Sequence, residues 1–217
     1  MNSWTTRAAV LAAAQTIHRE GLVVGTAGNV SARGDGPDVM HITPSGMPYE
    51  EMSLEDIVSV TFDGDPVSGE HTPSVECLMH GAIYRARADV HAVVHAHPIF
   101  ASVLAVRHES IPPILDEQVV YLGGEVAVST YAPSASEDLA TAAVEALGPR
   151  MAALLANHGT VAVASTVVRA LGITRLVERL AQVWYLAEAR PGSRKLPEDV
   201  VAAETDLFHM LRQAEGD

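Results

Sequence analysis

The chain has a single cysteine, Cys77, so no intrachain disulfide can brace it and its fold must rest on an apolar core. Basic residues are scarce: 14 Lys and Arg stand against 27 Asp and Glu, a formal charge of −13. No basic stripe offsets that balance, which argues against nucleic acid or an anionic membrane as a partner. An anionic ligand would have to be held locally, by backbone N–H groups and a few polar side chains. No apolar stretch reaches the roughly 18 residues that suggest a membrane span. The opening Met1-Asn2-Ser3-Trp4-Thr5-Thr6-Arg7 lacks the basic and apolar regions of a signal peptide, so a soluble cytoplasmic protein is expected. Internal repeats and low-complexity tracts are missing too. The glycine-rich Gly25-Thr26-Ala27-Gly28 is neither a Walker A loop nor Gly-x-Gly-x-x-Gly.

What remains is a chain of 217 residues, 48% hydrophobic, which favours one domain over 1–217 with a sizeable core. Its ten histidines are more than such a chain needs. The informative stretch is Val93-Val94-His95-Ala96-His97-Pro98. Read as a strand, it points His95 and His97 to the same face, roughly 6 to 7 Å apart at Cα. That spacing lets both imidazoles bind one ion at about 2.0–2.1 Å. Pro98 cannot donate to a ladder, so the strand should stop there. Two satisfied histidines on a half-buried strand are the plain alternative.

The flanking pattern predicts a helix from about Trp4 to Arg19, capped by Ser3, and strands at Val30–Arg33 and Val39–Thr43 around Asp35-Gly36. Glu55–Thr61 and a hairpin at Asp63-Gly64 read as antiparallel. Ser74 fits as the cap of a helix reaching about Arg87, with Glu76 in its first turn and His80 one turn on. Those two positions favour His80 as an outer partner of a site or a surface residue. Ile99–Val106 reads as a helix, Ile111–Ile114 as extended and Val126–Val128 as a strand. Ser136 caps a helix over Glu137–Leu147. Met151–Ala156 and Val161–Ala164 read as strands around Asn157-His158-Gly159, which puts a third histidine at a strand end. Helices over about Val167–Ala189 and Glu198–Gln213 finish the chain. The sum is an α/β fold: three layers, αβα, with a central, mainly antiparallel mixed sheet flanked by helices.

His95, His97 and His158 offer neutral nitrogens and Glu76 a carboxylate, a set that suits Zn²⁺, with Mn²⁺, Co²⁺ or Fe²⁺ as alternatives. Their order does not match the His-Glu-x-x-His metalloproteases. Five segments, taken in order, resemble the class II aldolases of the L-fuculose-phosphate aldolase and L-ribulose-5-phosphate 4-epimerase type. They are Gly25-Thr26-Ala27-Gly28-Asn29-Val30-Ser31, Thr43-Pro44-Ser45-Gly46, Pro73-Ser74-Val75-Glu76, Val94-His95-Ala96-His97-Pro98 and Asn157-His158-Gly159.

That resemblance implies a metal triad of His95, His97 and His158. It gives Glu76 two roles, ligand in the empty enzyme and base once it has moved off the ion. It implies a phosphate pocket from Gly28, Asn29, Thr43, Ser45, Gly46 and Ser74. It also implies a homotetramer with active sites between subunits. Glu76 stands where the epimerases typically carry Asp, so the chain is more similar to the aldolases. Two departures are visible. Val75 replaces a serine of the fuculose-phosphate enzymes, and Leu115-Asp116-Glu117 stands where they carry a tyrosine from the neighbouring subunit. Tyr121 and Asp116 are the candidate proton donors.

The implied reaction is reversible retro-aldol cleavage of a sugar ketose 1-phosphate to dihydroxyacetone phosphate and an aldehyde such as lactaldehyde. Breaking a bond beside a ketone leaves a costly negative charge, which a divalent ion offsets by several kcal/mol. Glu76 then shuttles the proton. The alternatives are decarboxylation of a 3-oxo sugar acid, C4 epimerisation of a pentulose phosphate, or a non-catalytic adducin-like binding module.

Overall fold

The computed structural model describes residues 3–216, the side chains of 215 and 216 excepted. The chain opens with helix α1 (Ser3–Arg19) and runs into strands β1 (Asn29–Arg33), β2 (Val39–Ile42), β3 (Val58–Thr61) and β4 (Pro66–Ser68). Helix α2 (Cys77–Ala86), strand β5 (Ala92–Ala96) and helices α3 (Ile99–Val106), α4 (Asp116–Leu122) and α5 (Glu137–Leu147) follow. Strands β6 (Ala152–Leu155) and β7 (Gly159–Ala164) and helices α6 (Val167–Glu188) and α7 (Glu198–Gly216) complete it.

The strands form one open sheet in the order β4-β3-β2-β1-β5-β7-β6. Every ladder in it is antiparallel. The mixed character expected from the sequence shrinks to one isolated parallel bridge, Val128 to Leu154. Helices α1, α3 and α6 pack on one face, and α2 and α5 pack together on the other. Strand β5 lies inside the sheet between β1 and β7, with Val93 and Val94 both fully buried. Burial on both faces explains why it reads as an unbroken apolar run rather than an alternating one.

Two expectations need correction, at Val126–Val128 and at Ser74, and one helix lies where none was expected. Val126–Val128 forms no strand, because it makes only single bridges, Val126 to Ile111 and Val128 to Leu154. Residues 116–122, which carry no clear sequence signal, form α4, closed by Gly123 at φ +83°. Ser74 does not cap α2; Glu76 holds that position, and its side chain makes no capping bond. The turn before α2 is held elsewhere: Ser74 N–H donates to Thr43 O at 3.1 Å, and Cys77 N–H donates to Ser74 O at 3.0 Å. Glu76 is thereby freed from helix duty. Helix α2 also lies close on the residue that follows β3, since a Cβ at Gly81 would stand 1.9 Å from Phe62 O.

Candidate metal centre

The register of the sheet delivers the histidines. On β5, His95 pairs with Asn29 of β1 on one side and with Val161 of β7 on the other. It therefore points to the same face as Ser31, whose hydroxyl touches His80 and Tyr84 of α2. His97 follows two residues later, just past the strand end, its N–H donating to Leu22 O at 2.9 Å. His158 sits in the short turn between β6 and β7, where Asn157 takes φ +55°. That turn is tied down twice: Asn157 N–H donates to Ala105 O at 3.1 Å, and Asn157 Oδ1 accepts from His108 Nε2 at 2.6 Å.

The three rings converge, with centroids 4.7 to 4.9 Å apart. His95 Nε2 lies 2.9 Å from His97 Nε2, and one ligand atom from each histidine falls within 4.8 Å of the others. His95 Nδ1 lies 3.0 Å from Thr160 O. A carbonyl only accepts, so Nδ1 carries the hydrogen and Nε2 keeps its lone pair for the cluster. Glu76 closes the set: Oε2 is 3.1 Å from His95 Nε2 and Oε1 is 3.2 Å from His158 Nε2. Ligands held tetrahedrally about 2.0–2.1 Å from an ion stand about 3.4 Å from one another. Three imidazole nitrogens and a carboxylate at these separations fit a divalent cation.

The electrostatics agree with that use. Burial alone would raise the Glu76 pKa, but His95, His158 and the hydrogen bond from Asn29 outweigh it and hold the carboxyl far below its usual range. Burial pushes His97 down to about 3, with His95 and His158 adding to the shift, and lowers His158 as well. Neutral imidazoles and an ionised carboxylate are the forms that bind metal.

His80 lies behind Glu76, fully buried, with Nδ1 2.6 Å from Ser31 Oγ and Nε2 without a hydrogen-bond partner among the described residues. That burial excludes the surface position its spacing left open and, with the neighbouring His95 adding to the shift, lowers its pKa to about 3. Its folded pKa lies below the ordinary 6.5, so below pH 6.5 the unfolded chain binds the extra proton. The stability that the neutral ring provides is complete above that pH. It is expected to fall as the pH drops from 6.5 toward about 3. Urea midpoints of metal-stripped protein at several pH values in that window check this; a flat midpoint would contradict it.

Of the anion-pocket candidates, the fold gathers Asn29, Thr43 and Ser74 around Glu76. Thr43 N–H donates to Val30 O, and Thr43 O accepts from Ser74 N–H, which stitches the three segments together. Gly28 (φ +75°) leaves no room for a side chain: a Cβ there would stand 2.7 Å from His95 O. Ser45 and Gly46 are exposed beside them. Asn29 also touches the Glu76 carboxylate. Its amide donates to Glu76 Oε2 at 2.8 Å and the residue is buried, so in this structure it serves the carboxylate. Val75 projects outward, 58% exposed.

The structure does not bring Tyr121 or Asp116 to the histidines. Both are on α4, which packs on α7. Leu122 O accepts from Met151 N–H, at the end of β6 opposite His158. Tyr121 is 61% exposed and lines a groove with Ile173, Leu176 and Phe208. Asp116 is exposed and faces Glu204, whose pKa burial and the Asp116 charge both raise.

Two residues that sequence reasoning passed over support the site, one by direct contact and one through the start of α3. Ser134 Oγ donates to Glu76 Oε1 at 3.0 Å. Glu178 of α6 accepts from Phe100 N–H and Ala101 N–H at 3.0 and 2.9 Å. Pro98 supplies no side-chain cap to α3, so Glu178 satisfies the first turn and fixes the chain just after His97. Neither residue stands in a motif, and only the tertiary fold brings them near.

Three imidazoles and a glutamate meet at one end of an antiparallel sheet, in an arrangement that could hold a metal ion. The family model of the Class II Aldolase and Adducin N-terminal domain matches residues 8–185. A 5-deoxy-D-ribulose 1-phosphate aldolase of Bacillus thuringiensis is 34% identical over 210 residues, covering 97% of this chain and 95% of the relative. An L-fuculose phosphate aldolase of Escherichia coli is 37% identical over 166 residues, 76% of each chain. A solved L-fuculose 1-phosphate aldolase superposes with a TM-score of 0.90 at 33% identity, covering 96% of this chain and 98% of that one. The chain belongs to the class II aldolase family, and it is a lyase. Enzymes of this class are metal-dependent.

Proposed function

We propose that the protein cleaves a ketose 1-phosphate reversibly to dihydroxyacetone phosphate and a small aldehyde such as lactaldehyde, with Zn²⁺ as its ion. The observation that carries this reading is the Glu76 carboxylate, held ionised against the nitrogens of His95 and His158. When bound, the ion supplies Lewis-acid polarisation of the ketone, worth several kcal/mol. The chain's own residues do the rest. His95, His97 and His158 are presented as neutral ligands, their rings aimed by Thr160 O, by the α3 start and by the Asn157 turn. Glu76 takes the proton from the substrate and returns it to the carbon of the ketone fragment. Thr43, Ser45, Gly46 and Ser74 hold the phosphate, and Val75 sets an apolar wall beside it.

The two named relatives act on deoxy sugars, which favours a substrate with a terminal methyl group. Tyr121 and Asp116 lie away from their own chain's histidines. As proton donors they would serve a neighbouring copy in a homotetramer, and a monomer by light scattering would remove both.

The test is release of dihydroxyacetone phosphate from L-fuculose 1-phosphate and 5-deoxy-D-ribulose 1-phosphate. It should disappear after exhaustive chelation and return with Zn²⁺; full turnover without a divalent ion would end the proposal. Val75 favours a second reading on the same site, with a carboxylated or differently phosphorylated substrate. Carbon dioxide release from a 3-oxo sugar acid, or inversion at C4 of a pentulose phosphate, would mark it.

A further inference from the structure

Each oxygen of Glu76 lies between one imidazole and one neutral donor. Oε2 faces His95 and receives the Asn29 amide; Oε1 faces His158 and receives the Ser134 hydroxyl. The two donors are not equivalent. Asn29 is a buried residue of β1, and its amide nitrogen only donates, so it favours the carboxylate. Ser134 is exposed on the loop between Val128 and α5, and a hydroxyl both donates and accepts. It can therefore serve Glu76 before and after proton uptake. The loop is braced for this: Ala135 sits at φ +63°, and Ser136 Oγ accepts from Leu139 N–H at 3.1 Å and donates to Pro133 O at 2.6 Å. A non-glycine residue in that conformation persists only where its surroundings hold it.

We propose that Ser134 is a positioning residue whose hydroxyl steers the Glu76 carboxyl through proton transfer, and that it is needed neither for metal binding nor for substrate binding. This rests on the aldolase reading. The proton leaves the substrate for a Glu76 oxygen and returns to carbon, while the Ser134 hydroxyl reorients from donating to the anion to accepting from the acid. Losing a hydrogen bond to a charged group corresponds to roughly a tenfold to hundredfold change.

The experiment compares the parent with Ser134→Ala and Ser134→Thr, all loaded with Zn²⁺. It reads solvent-deuterium exchange into dihydroxyacetone phosphate, kcat and KM for cleavage, and Zn²⁺ affinity by chelator competition. Ser134→Ala should lose at least about tenfold in exchange and kcat, with KM and Zn²⁺ affinity within about twofold. Ser134→Thr, which keeps the hydroxyl, should recover most of the rate. Exchange by Ser134→Ala within twofold of the parent overturns the inference. So does a loss of Zn²⁺ affinity that parallels the loss of rate, or a threonine variant as slow as the alanine one. A parent that binds Zn²⁺ but exchanges no proton overturns the aldolase reading itself, and this inference with it.

Discussion

Glu76→Gln is expected to slow proton exchange on dihydroxyacetone phosphate by about 10² to 10⁴-fold while leaving the protein folded. The substitution keeps the shape of the side chain and a carbonyl oxygen that can still accept from Asn29, so the buried pocket is not emptied. It removes the group that can take a proton. It also removes the negative charge, although His95, His97 and His158 still offer three nitrogens to an ion. The rate should therefore fall much further than metal content, and elemental analysis of the purified variant separates the two effects. Exchange near the parental rate would show that another group is the base. The helix should tolerate the change, because Glu76 makes no side-chain capping bond to α2 that the amide would lose.

How much of this site can be read from the chain depends on whether a residue's role is local. His95 and His97 are legible because a strand repeats every two residues, and β5 runs to Ala96, one residue short of His97. His158 is legible because a histidine beside a glycine between two apolar runs marks a strand end. Glu76 is legible only as part of a motif, since its position at the start of α2 reads equally well as a helix-end carboxylate. The function of Asn29 is hidden, because only the pairing of β1 with β5 places it beside His95. Ser134 and Glu178 are likewise remote, 58 and 77 or more residues from the groups they touch. Helix α4 escapes because it is short and lies between Pro112-Pro113 and Gly123-Gly124, neighbours that read as loop. The strand expected at Val126–Val128 fails for the converse reason: β-branched residues mark an extended segment, not a partner to pair with.

Gly159→Ala should cost metal affinity more than it costs the fold. Gly159 opens β7 opposite the end of β5, and a Cβ there would stand 2.4 Å from Ala96 O and 2.6 Å from His97 Cδ2. Neither neighbour can yield cheaply. Ala96 is the residue between the two histidines, and its carbonyl belongs to the strand that carries His95. The His97 ring is aimed at the cluster from the residue that follows. Relief must push β5 and β7 apart or swing His97 away from His95, and either spoils the shared focus of the three nitrogens. Overpacking of this kind typically costs about 1–3 kcal/mol of stability, which a core this size can absorb. Loss of orientation around a metal ligand typically costs about 10 to 100-fold in affinity. Chelator competition should therefore show weakened Zn²⁺ binding in a variant that still melts cooperatively, with cleavage rescued in part by excess Zn²⁺. Affinity equal to the parent would mean that the β5–β7 contact does not set the position of His97, and that Pro98 and the Glu178-held start of α3 suffice to hold it.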